Sequence, residues 1–192
     1  MFGGMGPCVR GLLLANAGVF ALQFWDPGLL EDFALWPLGN GFQPWQLLSY
    51  AFLHGSVTHI AFNMIGLVSF GSELEQYWGA KNFLKFYFAS VLAAALTQLA
   101  VTASIGELSP TVGASGGIYG LLLGFAMMFP TRKVVPLIPP IPMPAWFFAL
   151  IFAAVELYLG VPGTASGIAH FAHLGGMIGG WVMMRHWRSA RR

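Results

Sequence analysis

Six long apolar runs occupy most of this sequence, and they restrict the folds open to it more than any other feature. Cut at charged residues and at Pro/Gly clusters, the runs cover residues 9–25, 57–77, 83–103, 113–130, 145–160 and 168–186. Each approaches the roughly 20 residues that an α-helix needs to cross a bilayer. The runs are continuously apolar and lack the alternation and ~10-residue length of barrel strands, so helices are predicted.

The composition supports a membrane location for these helices. Of the 192 residues, 57% are hydrophobic and 8% are charged, whereas a soluble domain carries about 25% charged residues. The net charge of +2 favours contact with anionic lipid and gives no indication of nucleic-acid binding. The sequence therefore predicts an all-α membrane protein, with residues 1–192 forming a single domain built as a bundle of six transmembrane helices.

The basic residues predict the orientation of that bundle. With six crossings, all nine Lys and Arg residues fall on the side of the N-terminus: Arg10, Lys81, Lys85, Arg132, Lys133, Arg185, Arg188, Arg191 and Arg192. Because positive loops stay on the cytoplasmic side, both termini are predicted to be cytoplasmic.

Polar residues are concentrated at the start of the second, fourth and sixth runs. They are His59 and Asn63, then Ser115 and Tyr119, then His170 and His173. These three runs cross the membrane in the same direction, so their first turns are predicted to meet in one layer below the outer surface. Polar groups are costly in hydrocarbon, and their presence there indicates a function.

Glycines in the same runs predict close helix packing. They recur at helical spacing beside the polar residues: Gly116, Gly120 and Gly124 in the fourth run, and Gly176 and Gly180 in the sixth. Such spacing lets membrane helices approach closely. A Ser–His pair needs this approach, since its oxygen and nitrogen must come within about 2.6–3.2 Å of each other. Position 176 is expected to need only a small residue, so that alanine is tolerated better than valine.

The histidines of this layer raise the question of metal or haem binding. His170 and His173, with His54 and His59, could ligate a haem or a metal ion. However, no Cys, Asp or Glu completes a zinc set and no HExxH sequence occurs, so no metal or other cofactor is predicted.

The positions of the acidic residues bear on whether a carboxylate could orient His173. Asp26, Asp32 and Glu107 lie in predicted external loops, and Glu73 and Glu75 lie at the inner end of the second run. None of these carboxylates is placed to orient His173. A Ser115–His173 dyad is therefore predicted, in which helix packing holds the imidazole.

The motifs resemble those of the rhomboid family of intramembrane serine proteases, in particular its bacterial members. The match covers about residues 45–183 and rests on GASG around Ser115, AHLGG around His173, and the pair His59 and Asn63. The resemblance implies Ser115 as nucleophile and His173 as general base. It also implies an oxyanion hole formed by Asn63, His59 and the backbone N–H of Ser115.

Four further residues take supporting roles through the same resemblance. Tyr119 would pack against the catalytic histidine, His170 would lie near the dyad, and Gly113 and Gly176 belong to the two motifs. One departure is the pair Trp45-Gln46, where many bacterial members carry Trp-Arg. This difference puts the internal bonding of the first external loop in doubt.

The resemblance also predicts the biological setting. The substrates would be single-pass or multi-pass membrane proteins cleaved near the outer membrane face, and the chain would reside in a bacterial inner (plasma) membrane. Two alternatives remain: an inactive rhomboid-like binding protein, and a haem- or metal-binding membrane protein that uses the histidines.

Overall fold

Helices account for nearly all the regular structure of the chain. The computed structural model describes residues 4–160 and 169–189. Its longer helices are α1 (Pro7–Gln23), α4 (Val57–Trp78), α5 (Ala80–Ile105), α6 (Ser115–Met128), α7 (Ala145–Gly160) and α8 (His170–Ser189). Shorter elements are α2 (Gly28–Phe33), α3 (Gln46–Ser49), a 3-10 turn (Tyr50–Phe52), and the antiparallel strands β1 (Lys133–Val134) and β2 (Met143–Pro144).

Each predicted apolar run coincides, to within a few residues, with one of the longer helices, so the all-α class is confirmed. Over the described ranges, α5 is the one helix that is by itself long and apolar enough to cross a membrane. The segment Gln46–Phe52 and α4 meet the same criterion together, with a bend of 99° between them. The six crossings and the cytoplasmic termini remain predictions.

Helix α6 lies at the centre of the bundle, where it contacts α4, α5, α7 and α8. Its glycines are the points of closest approach. A methyl group added at Gly117 would come 2.6 Å from the ring of Tyr87 on α5. One added at Gly120 would overlap the side chain of Ser90. The glycine spacing in the sequence therefore reports packing against α5 as well as against α8.

The last turns of α4, α6 and α8 lie at one end of the bundle. The rings of Trp78 and Trp187 are 5.2 Å apart, which joins the end of α4 to the end of α8. Nη1 of Arg132, just after α6, lies 3.3 Å from Oε1 of Glu73 near the end of α4. The three helices therefore run parallel, and their first turns meet at the opposite end.

A buried carboxylate fixes the start of α1 at the same end of the bundle. Glu75 is 3% exposed and accepts hydrogen bonds from the backbone N–H groups of Cys8 and Val9, both at 2.8 Å. The first N–H groups of a helix have no acceptor within the helix. Glu75 supplies that acceptor from α4, so its role is structural.

The segment between α1 and α4 is held together by Gln46. This side chain is 1% exposed, and its Oε1 accepts the backbone N–H groups of Trp36 at 3.2 Å and Gln43 at 3.1 Å. Its Nε2 donates to the carbonyl of Asp32 at 3.2 Å. A single amide can both donate and accept. Gln46 thus provides the internal bonding that its departure from the Trp-Arg pair had put in doubt.

Candidate active site

Ser115 and His173 meet where the first turns of α6 and α8 come together. Ser115 is the first residue of α6, and His173 lies one turn into α8. Oγ of Ser115 is 2.7 Å from Nε2 of His173, which is within the range needed for a base to take a hydroxyl proton. The contact joins the two residues that the sequence predicts as a dyad.

The backbones of α6 and α8 touch directly beside this pair. A methyl group at Gly176 would overlap the carbonyl oxygen of Gly116, and one at Gly180 would lie 3.1 Å from the carbonyl oxygen of Gly120. The expectation that position 176 needs only a small residue is therefore wrong. Because the obstacle is backbone, it cannot rotate away, and the site requires glycine.

His59 approaches the same point from α4. Ser56 caps α4 by accepting the backbone N–H of His59 at 3.1 Å, a common way to satisfy the start of a helix. Gly113 lies opposite with a φ of +126°, and a methyl group there would come 2.7 Å from Nε2 of His59. The same methyl group would be 3.6 Å from Oγ of Ser115. Gly113 is thus the small residue that brings His59 next to Ser115.

Tyr50 holds the backbone that precedes Ser115. It is 2% exposed; its carbonyl accepts the N–H of Gly113 at 2.9 Å, and its hydroxyl donates to the carbonyl of Val91 at 2.9 Å. Tyr50 is not among the residues predicted from the sequence. Its local signal was weak, because the residue precedes the second run and shows its role only through contacts distant in sequence.

Asn63 and the start of α6 offer unpaired donors. Asn63 shares the face of α4 with His59 and is 6% exposed, and its Nδ2 has no hydrogen-bond partner within the described parts of the chain. The backbone N–H of Ser115 begins a helix and has no acceptor within it. Leaving buried donors unpaired costs free energy, and a ligand oxygen would offset that cost.

Tyr119 lies against His173. The two rings are stacked, with centroids 4.3 Å apart and an interplanar angle of 4°. Tyr119 is one turn after Ser115 on α6, so Ser115 and the stacking ring come from one helix face. This is the contact that the family resemblance implies for Tyr119.

A carboxylate that the sequence analysis overlooked completes the cluster. Glu156 of α7 has a side chain that is 8% exposed, and its Oε1 lies 3.0 Å from Nδ1 of His173. Its Oε2 lies 2.6 Å from Nδ1 of His170. The hydroxyl of Tyr119 donates a short hydrogen bond to Oε1. Three side chains from α6 and α8 therefore converge on one carboxylate.

The prediction that no carboxylate lies against His173 is thus wrong. The acids weighed as partners of His173 lie in predicted loops or at a helix end. Glu156 instead lies inside the fifth apolar run. An acidic residue within such a run is costly and indicates a function by itself. That signal was present in the sequence.

A metal ion could be held by three of the described residues, Glu156, His170 and His173. One ligand atom from each lies within 4.8 Å of the others. The prediction that no Glu joins the histidines is therefore wrong as well. However, the carboxylate oxygens approach the ring nitrogens to 2.6 and 3.0 Å. These are hydrogen-bond distances, and ligand atoms held around a zinc ion at about 2.0–2.2 Å stand further apart.

His54 is buried close to His59 but outside that group. Its side chain is 1% exposed, and its ring centroid is 5.0 Å from that of His59. Neither ring nitrogen of His54 has a hydrogen-bond partner among the described residues. Buried polar atoms of this kind are usually paired, in many cases with ordered water.

Comparison with known proteins identifies the family of this chain. The family profile described as the Rhomboid domain matches residues 41–188. Rhomboid protein 1, mitochondrial, of Saccharomyces cerevisiae is 33% identical over 72% of this chain and 42% of its own length. RHOMBOID-like protein 12, mitochondrial, of Arabidopsis thaliana is 31% identical over 88% of this chain and 54% of its own length. Rhomboid protease GluP of Bacillus subtilis is 28% identical over 71% of this chain and 25% of its own length.

These relatives support a membrane location without supporting the predicted compartment. The chain spans about half the length, or less, of the three relatives named here. Two of the three are mitochondrial by name, so a bacterial inner membrane is not supported by them. The family includes proteases and inactive members. The profile match over most of the sequence, with its motifs in place, shows that this chain is an integral membrane protein of the rhomboid family.

Proposed function

We propose that this chain is an intramembrane serine endopeptidase with Ser115 as nucleophile and His173 as general base. The observation that carries the proposal is the 2.7 Å contact between Oγ of Ser115 and Nε2 of His173. An inactive member of the family would have no need for this pair. A contact of this kind between two polar side chains in an apolar bundle is typical of an activated serine.

The surrounding donors support acyl transfer at this serine. Attack on a peptide carbonyl places negative charge on its oxygen. Nδ2 of Asn63, the ring of His59 and the backbone N–H of Ser115 would stabilise that charge. Each such donor contributes about 10²–10³ in rate when water is excluded. The N-terminus of α6 adds a favourable dipole, since negative charge is stabilised at the start of a helix.

Hydrolysis of the acyl-enzyme needs a water molecule inside the bundle. His54 and His170 carry ring nitrogens that are buried and unpaired within the described ranges. Buried water molecules typically bind such atoms. These histidines would therefore line the route by which water reaches Ser115.

The substrate class follows from where the site lies. A chain that enters from the bilayer is itself a membrane helix, and its carbonyls are occupied by helical hydrogen bonds. Cleavage would need local unwinding near the outer end of that helix, which small or helix-breaking residues favour. Access would run beside α7, where Trp146, Phe147 and Phe152 are exposed. The glycine-rich sequence at residues 160–167 would form a mobile cap over this entry, and all of it beyond Gly160 lies outside the described residues.

The topology belongs to the same proposal. Six crossings with both termini in the cytoplasm put the first turns of α4, α6 and α8 near the outer membrane face. A bacterial plasma membrane as the location rests on the sequence resemblance, and Bacillus subtilis supplies one relative of that origin.

Labelling with a fluorophosphonate serine probe in detergent tests the function. The parent protein should be labelled, and Ser115→Ala should not. The parent should also cleave a reporter that carries a transmembrane helix, and Ser115→Ala should leave it intact. An unlabelled, inactive parent protein that is correctly folded would support the inactive rhomboid-like alternative and overturn the proposal.

A further inference from the structure

We propose that Glu156 is the third member of the site, a charged positioning residue that acts on Ser115 through His173. The inference rests on the proposed protease function and goes beyond its dyad. Glu156 lies on α7, 17 positions before His173 in sequence, and its Oε1 is 3.0 Å from Nδ1 of that histidine. Ser115 contacts Nε2, the other ring nitrogen of His173. The imidazole of His173 therefore lies between the carboxylate of Glu156 and the hydroxyl of Ser115.

The arrangement of donors assigns the protons. The Glu156 carboxylate has three neighbours that can donate: the hydroxyl of Tyr119 and Nδ1 of His173 at Oε1, and Nδ1 of His170 at Oε2. A carboxylate offers only acceptors. The proton of His173 therefore belongs on Nδ1, which leaves Nε2 as the acceptor that faces the Ser115 hydroxyl.

A charge argument gives the carboxylate its function. When His173 takes the serine proton, it becomes a cation with a side chain that is 12% exposed. An uncompensated buried charge is costly, and a partner of opposite charge at this distance reduces that cost. In the present conformation the Nδ1–H bond is not aligned with a carboxylate oxygen. Such contacts commonly tighten when substrate binds.

The proton sequence then balances at every step. The Ser115 Oγ–carbon bond forms as the Oγ–H proton moves to Nε2 of His173, and the carbonyl electron pair moves to the oxyanion. The peptide C–N bond breaks as Nε2 returns that proton to the leaving amine. Water then attacks the ester carbon and gives a proton to Nε2. The carbonyl re-forms as the Oγ–carbon bond breaks, Nε2 returns the proton to Oγ of Ser115, and the new carboxyl group is released. Glu156 remains a carboxylate and Nδ1 keeps its proton throughout.

Tyr119 and His170 are the residues that hold Glu156 in place. Tyr119 both stacks on His173 and donates to Oε1. His170 is 6% exposed and one turn before His173 on α8. Together they link α7 to α6 and α8 at the level of the nucleophile, so the carboxylate cannot be displaced without moving one of these helices.

Two substitutions at position 156 separate a role of charge from a role of shape. Glu156→Gln keeps the shape and removes the charge, whereas Glu156→Asp keeps the charge and shortens the side chain. We expect Glu156→Gln to lower kcat about 10²-fold or more, with KM changed less than about threefold. Glu156→Asp should retain more activity than Glu156→Gln. The reverse order would mean that shape matters and would overturn the proposal.

Non-additivity gives a second readout that a structural role would not produce. In protein that carries His173→Ala, adding Glu156→Gln should not reduce the residual rate of probe labelling further. The effects of residues that act as a unit are not additive, so once His173 is removed the loss of Glu156 has no further effect. Independent, multiplying effects would contradict the proposal.

Two other carboxylates provide matched controls. Glu75→Gln removes a buried charge whose hydrogen bonds, within the described residues, go to the start of α1. It should lower thermal stability while leaving kcat within about threefold. Glu73→Gln removes an exposed ion pair with Arg132 and should change neither quantity appreciably. If Glu75→Gln reduced kcat as much as Glu156→Gln, the effect would be a general one and the proposal would fail.

Metal analysis completes the test. The purified parent protein should contain no stoichiometric zinc, and EDTA should leave its rate unchanged. Bound zinc that disappears in Glu156→Gln would overturn the proposal in favour of a metal site. Failure of the protease function itself is distinguishable, because the parent protein would then be inactive, whereas failure of this inference leaves an active parent and an active Glu156→Gln.

Discussion

The carbonyl oxygen of Gly116 occupies the space that a methyl group at Gly176 would need. Gly176→Ala should therefore separate α8 from α6, and a misplacement of about an ångström can cost about 10²-fold in rate. Gly18→Ala on α1 is the matched control, because a methyl group there meets nothing within 4 Å. Cleavage rates of the two variants in one detergent give the comparison. Equal rates would mean that the two helices do not touch at this point.

Ser115→Ala and His173→Ala should each abolish cleavage of a membrane-anchored substrate. Both side chains lie at the first turns of their helices and take no part in the backbone contact between Gly116 and Gly176, so the variants should keep the parent's helical circular dichroism and elution volume. The measurement is substrate turnover by purified protein. Full activity in either variant would eliminate that residue from the mechanism.

Asn63→Ala should lower turnover by about 10²-fold without preventing probe labelling altogether, because it removes an oxyanion donor and leaves the nucleophile. His59→Ala should act in the same direction and more weakly. Turnover and labelling are compared for the same preparations. Parent-like rates in both variants would assign oxyanion stabilisation to backbone N–H groups instead.

Gln46→Ala should lower the thermal stability of the detergent-solubilised protein. It leaves the part-buried backbone N–H groups of Trp36 and Gln43 without their acceptor. A fully buried group left unpaired costs about 1–3 kcal/mol, so each of these part-buried groups should cost less than that. Gln43→Ala, at an exposed side chain, is the control. If the two variants unfolded at the same temperature, the amide of Gln46 would contribute little to the loop.

Reporter fusions test the membrane topology. Fusions after Lys81 and after Lys133 should report a cytoplasmic location, and fusions near Asp32 and Glu107 should report an external one, because the positive residues stay inside. An external reading after Lys133 together with a cytoplasmic reading near Glu107 would remove the six-crossing proposal. It would also remove the outer-face position of the site.

Much of the site could be predicted from local sequence. The polar residues stood out because they begin apolar runs, and the glycines stood out because they repeat at helical spacing. His59 and Asn63, or Ser115 and Tyr119, share a helix face by periodicity alone. Glu156 was detectable as an acid inside an apolar run, yet its partners were not, since no periodicity relates α7 to α8.

The sequence by itself determined that this chain is helical, apolar and equipped with Ser115 and His173 in family motifs, because helix formation and hydrocarbon burial follow from composition and spacing within each run. Only the tertiary structure decided which atoms meet. It brought Glu156 of α7 to within 3.0 Å of His173. It also paired the carbonyl of Tyr50 with the N–H of Gly113 and placed Gly176 against the backbone of Gly116. Such contacts depend on how helices approach and rotate against one another, which is a property of packing between runs and is not encoded within any one of them.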